Sequence, residues 1–141
     1  MPTENTHIKI PRARAEQIKE IAQTHGITIA DLVARWVRQE IEAGAIPAGL
    51  PGVKVVINTN DNVSITLNDL MLDPTRAEAV EFAQKLREIS AGHDAALKAR
   101  FAAITRRGDG FSVTSPFTGR KFPMSRSIAG EVAEQIEAAL N

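Results

Sequence analysis

The sequence predicts an α+β protein, mostly helical with small β elements: an N-terminal strand–helix–helix unit followed by an α+β domain. Three observations carry that prediction. Asn5-Thr6-His7-Ile8-Lys9-Ile10-Pro11 alternates polar and apolar residues and stops at a proline. The stretches that follow place apolar residues at helical spacing. Ala45–Gly52 then holds two prolines and two glycines in eight residues, the composition of a linker. The expected division is therefore 1–44, a linker at 45–52, and 53–141.

The first strand spans Thr6 to Ile10, and Pro11 ends it because proline has no N–H to donate to a sheet. Proline also suits the start of a helix, here expected from about Arg12 to Thr24 with Ala15, Ile18, Ile21 and Ala22 on its apolar side. His25-Gly26 supplies the stop, since glycine takes a positive φ at a helix end without steric cost. Thr28 is the expected N-cap of the second helix, with Asp31 near the positive end of the helix dipole. That helix carries Ile29, Leu32, Val33, Trp36, Val37 and Ile41 as one broad apolar stripe, and Gly44 closes it.

In the second part, Val53–Ile57 and Val63–Leu67 read as a hairpin around Asn58–Asn62. Asp73-Pro74 opens a helix that runs to about Ser90. The stripe Phe82, Leu86, Ile89, His93, Leu97, Phe101 and Ile104 extends past Gly92, which predicts two nearly collinear helices, or one with a weak point, reaching Thr105. Gly108-Asp109-Gly110 is a turn. Phe111–Ser115 and Lys121–Met124 form a second hairpin, and a last helix from about Ser127 to Leu140 aligns Ile128, Val132, Ile136 and Leu140. About three helices and one or two hairpins are thus expected in this domain.

Composition narrows the function. Cysteine is absent, which excludes disulfides, thiolate zinc sites and cysteine nucleophiles. No run of about 18 apolar residues occurs, and the N-terminus lacks an apolar export signal, so a cytoplasmic protein is expected. Seventeen Lys and Arg balance seventeen Asp and Glu, so any basic surface must be assembled by folding or dimerisation. Tyrosine is absent and aromatic residues are few, which disfavours a single-strand binder that stacks bases.

A strand–helix–helix unit of this size cannot bury a sizeable core alone, and a lone strand leaves both backbone edges unpaired. Two copies resolve both difficulties. Antiparallel strand pairing across a two-fold axis lets four helices bury their stripes together, with Ile8, Ile10, Ile18, Ile21, Leu32, Val33, Trp36 and Val37 as the dimer core. Alternation sends Thr6, Ile8 and Ile10 inward and Asn5, His7 and Lys9 to the open face. A two-stranded ribbon fits the DNA major groove, where Asn can bond adenine and Lys can reach guanine acceptors. Trp36 reads as dimer core rather than a ligand platform.

Ile8-Lys9-Ile10-Pro11, the helix ending at Gly26, and Thr28-Ile29-Ala30-Asp31-Leu32 opening the next helix together resemble the ribbon-helix-helix superfamily, of the Arc and MetJ repressor type. The resemblance covers about residues 4–44. It implies an obligate dimer, base readout by Asn5, His7 and Lys9, and a phosphate held at the N-terminus of the second helix around Thr28, in keeping with the helix dipole. Arg12 and Arg14 could add backbone contacts. Thr6 departs from the apolar residue more usual at its position, and a ribbon histidine such as His7 is unusual.

Other chemistry is sparse. His7, His25 and His93 share no metal-ligand spacing, and His93 reads as a partly buried packing residue of a helix. No carboxylate pair, nucleophile elbow or glycine-rich phosphate loop stands out, so neither an enzyme nor a cofactor or metal site is expected. Arg107-Gly108-Asp109 is read as a turn. The densest basic spots are Arg106-Arg107 and Arg120-Lys121 with Arg126. Arg120 and Lys121, at a hairpin tip, could touch a DNA backbone like a wing, although a solvated turn is the simpler reading.

The expected function is sequence-specific binding of double-stranded DNA by a homodimer, most simply as a transcriptional repressor. Residues 53–141 would sense, oligomerise or bind a protein partner. An antitoxin and a plasmid partition or relaxosome accessory protein are alternatives within the DNA-binding class. A dimeric protein-interaction module without DNA readout is the alternative outside it.

Overall fold

The computed structural model of the chain describes residues 7–58 and 60–141. Among them are four helices and two small antiparallel sheets, an α+β architecture. The chain divides into two compact units, one ending at Ala48 and the other spanning Gly49–Asn141.

In the first unit, α1 (Arg12–His25) follows Pro11, whose φ of −57° and ψ of 142° bring an extended chain to the first helical turn. Gly26 ends α1 in the left-handed region at φ 67°. The Gly26 N–H donates to the Gln23 carbonyl and the Ile27 N–H to the Ala22 carbonyl, which satisfies two of the orphan acceptors at the helix end. Thr28 then caps α2 (Ile29–Glu42), its Oγ1 accepting from the Asp31 N–H at 3.0 Å. The strand expected before α1 is not formed within one chain: His7 to Pro11 belong to no helix or strand, while Asn5 and Thr6 lie outside the described residues. A strand needs a partner, and among the described residues this unit contains no second one.

The second unit has nine elements among the described residues. These are β1 (Val53–Ile57), β2 (Val63–Leu67), β3 (Leu70–Leu72), α3 (Arg76–Ser90), β4 (Leu97–Lys98), β5 (Ala103–Arg107), β6 (Gly110–Thr114), β7 (Lys121–Met124) and α4 (Arg126–Leu140). The first sheet runs β1-β2-β3 and the second β4-β5-β6-β7, each pair antiparallel. Period-two alternation puts Val63, Ile65 and Leu67 of β2 inside with Leu70 and Leu72 of β3. From the other sheet come Ile104, Phe111, Val113, Phe122 and Met124. α3 and α4 add Phe82, Leu86, Ile89, Val132 and Ile136, so both sheets and both helices share one apolar core. Small residues let the helices approach: a Cβ on Gly130 would come within 2.5 Å of the Ser90 Oγ. Phe82 meets Phe101 edge to face, with ring centroids 5.6 Å apart.

Both expected hairpins are present, and the last helix starts one residue earlier than expected, capped by Ser125. Two expectations are corrected, and one short strand is added to them. α3 starts at Arg76, not Pro74, because Thr75 is the N-cap: its Oγ1 accepts from the Glu78 N–H and the Glu78 carboxylate accepts from the Thr75 N–H. The collinear helical continuation to Thr105 does not form, so the described residues of this unit hold two helices rather than three. Gly92 takes a φ of 101° after α3, and Leu97 pairs with Ile104 across β4 and β5. β3, three residues long, extends the first hairpin into a sheet.

Candidate nucleic-acid interface

The first unit buries almost nothing by itself. Among its described residues only Ala22 and Leu32 are buried. Of the side chains expected in a dimer core, Ile18 is half-buried, and all but Leu32 of the others are open in the single chain. Ile8 is 83% exposed, Val33 45%, Val37 40% and Trp36 37%, and Ile10 and Ile21 are exposed as well. Ile29 extends the same open stripe. An isolated helix pair with this much apolar surface in water lacks the burial that offsets chain entropy.

The expected DNA-contacting residues divide by position. Asn5 lies outside the described residues. His7 and Lys9 are exposed just before Pro11, two residues apart as a common strand face requires. Arg12 and Arg14 are exposed on the first turn of α1, and Arg14 donates to the Gln17 Oε1 at 2.8 Å. From residue 5 to residue 15 every charged side chain is a cation (Lys9, Arg12 and Arg14), so the balanced charge of the chain hides a locally basic segment. No carboxylate pairs with these three among the described residues. The Thr28 hydroxyl is engaged by Asp31, so an anion at this helix start would meet backbone N–H groups of the first turn.

The second unit handles its charges differently. Arg120 donates to the Asp69 carbonyl at 3.0 Å and lies 3.9 Å from its carboxylate, which ties the expected wing to the β2–β3 turn. Lys121 is exposed at the start of β7. Arg106 and Arg126 both grip Asp94, with both guanidinium groups over the Phe111 ring. His93 is exposed in the turn after α3 rather than packed on a helix, and its carbonyl accepts from Arg126 at 2.9 Å. Among the described residues no cluster of three His, Cys, Asp or Glu could hold a metal ion. Among them, too, no helix is long and apolar enough to cross a membrane.

These pairs are expected to give the second unit a modest sensitivity to acid. The Arg126 guanidinium holds the Asp94 carboxyl below the usual carboxylate range, with Arg106 adding to the pull. Arg100, then the Thr75 N–H, does the same for Glu78, and Arg87 for Glu137. A carboxyl depressed in the folded state contributes its full stability above its unfolded pKa, and that contribution is lost as pH falls through the folded value. Urea midpoints are therefore expected to hold steady down to about pH 5 and to fall below about pH 4. The three side chains are largely solvated, so the fall from these pairs is modest. Asp94→Asn should flatten part of it, and an unchanged pH slope in that variant would refute the assignment.

Compared with family models, curated proteins and solved structures, the chain matches none.

Proposed function

We propose that the N-terminal unit is a homodimeric DNA-binding module of the ribbon-helix-helix type, and that the protein acts as a sequence-specific repressor. The observation that carries this reading is the open apolar stripe of Ile8, Ile10, Ile21, Val33, Trp36 and Val37, set in a unit with only two buried residues among those described. A second copy covers such a stripe without any other protein, and a two-fold axis brings the two Ile8–Ile10 segments side by side for antiparallel pairing. Pairing removes the edge and leaves Asn5, His7 and Lys9 of both copies on one polar face, of a size that enters the major groove. Arg12, Arg14 and the start of α2 at Thr28 would contact phosphates and set the register without reading sequence.

Selection of bound duplexes from a random pool tests this. The expected result is a repeated or palindromic site, mirroring the two-fold protein. Lys9→Ala and His7→Ala should change base preference at symmetry-related positions, each base-edge hydrogen-bonding pair being worth about 1–3 kcal/mol of discrimination. A pool that stays unenriched at low salt, or a preference indifferent to both substitutions, overturns the ribbon reading.

A further inference from the structure

We propose that the outer face of the β4-β5-β6-β7 sheet is a second polyanion-binding surface, contacting the phosphate backbone of duplex DNA through Lys98, Arg107 and Lys121. The inner face of this sheet is occupied by Ile104, Phe111, Val113, Phe122 and Met124, all buried. Alternation places Lys98, Ala103, Thr105, Arg107, Ser112, Thr114, Lys121 and Pro123 on the other side. Register aligns them: Lys98, Ala103, Thr114 and Lys121 form one row across the four strands, and Thr105, Ser112 and Pro123 form the next. No position on that face carries a carboxylate.

The pairing of charges elsewhere in this unit makes the face distinctive. Arg87 pairs with Glu137, Arg100 with Glu78, Arg106 and Arg126 with Asp94, Arg120 with Asp69, and Lys85 with Glu88. Arg76 donates to the Leu140 carbonyl. Lys54, Lys98, Arg107 and Lys121 are the cations of this unit without such a partner among the described residues, and the last three share one face. Lys98 and Lys121 stand three strand spacings apart, roughly 14 Å, and Arg107 lies about 13 Å along β5 from their row. Phosphate rows flanking a major groove about 12 Å wide are within reach of flexible side chains so placed.

The side chains between the cations are alanine, threonine, serine and proline, none of them aromatic, and Ser112 at the middle of the face is itself buried, so any contact falls to the exposed Lys98, Arg107 and Lys121 around it. A face whose cations stand at its margins, with no ring between them, offers no platform for stacking bases, which favours phosphate contacts without sequence preference. The choice of duplex DNA as the polyanion rests on the reading of the N-terminal unit. The surface itself stands on charge and register alone.

The test measures affinity of the full chain for a random-sequence duplex and for the selected site, as a function of salt. Each phosphate contact contributes about 0.9 to the slope of log K against log salt. The triple variant Lys98→Gln, Arg107→Gln, Lys121→Gln should lower that slope by about 2–3 on both duplexes and weaken binding at least tenfold at low salt, with base preference unchanged. Lys9→Ala serves as the separate arm. A triple variant with the wild-type slope, beside a Lys9→Ala protein of altered base preference, overturns this inference and leaves the ribbon reading standing. The reverse pattern overturns the ribbon and keeps the sheet. A wild-type protein that binds no duplex at low salt overturns both. Circular dichroism of the triple variant should match wild type, because all three side chains are exposed.

Discussion

Val33→Asp is expected to leave the chain a monomer where the proposed ribbon-helix-helix reading makes the wild type a dimer. Val33 lies in the first half of α2 and is 45% exposed in the single chain, so the isolated fold accommodates a carboxylate there at little cost. In a two-fold dimer the same substitution places two unpaired carboxylates at an apolar interface. Burying such a charge without a partner costs several kcal/mol, and about 3–5 kcal/mol weakens association about 100- to 5,000-fold. Sedimentation equilibrium reads the result directly: dimer mass for the wild type and single-chain mass for the variant. Trp36 provides a second readout, as the sole tryptophan in a chain without tyrosine, on the same helix as Val33. Its emission should shift to longer wavelength as the interface opens. A wild-type protein of single-chain mass at all concentrations would sink the dimer, and with it the ribbon.

Phe82→Ala is expected to cost the second unit about 3–5 kcal/mol, the range for removing a buried aromatic ring. Phe82 is fully buried on α3, within the core shared by both sheets and α4, and its ring meets Phe101 edge to face. The substitution removes transfer energy, leaves a cavity and deletes the ring pair. Against a typical domain stability of about 5–15 kcal/mol that is a large fraction. The second unit contains no Trp, so its unfolding is followed by far-UV circular dichroism in urea, while Trp36 fluorescence follows the first unit. A dichroism-detected loss below about 1 kcal/mol would contradict the single shared core, because so small a cost belongs to exposed or readily collapsing sites.

Much of the first unit is legible in single residues. Pro11, Gly26 and Thr28 each act through the backbone within a few positions, by a missing N–H, a tolerated positive φ and a hydroxyl cap. The bounds of α1 and the start of α2 follow from them to within a residue. The capping box Thr75-Arg76-Ala77-Glu78 is equally local, and it is a sharper signal for the start of α3 than Asp73-Pro74 two residues before it.

Residues 91–105 show why local reading fails. Leu97, Phe101 and Ile104 satisfy helical spacing as well as they suit strands flanking a turn, and periodicity cannot choose between the two. Pairing of β5 with β6 decides it, and that energy resides in another segment. β3 is hidden for the same reason: three residues carry no period, and only β2 makes them a strand.

By itself, the sequence determined the α+β class, a break between the second helix and Val53, the bounds of the first helix and the start of the second, and a polar–apolar alternation before them that holds His7 and Lys9. Those features are local, set by φ preferences, caps and hydrophobic period. Only the tertiary structure decided that the stripe from Val33 to Val37 stays uncovered in one chain, that Arg120 is tied to Asp69, and that Lys98, Arg107 and Lys121 share a sheet face without a carboxylate. Burial, ion pairing and strand register are relations between distant residues, and no window along the chain contains both partners.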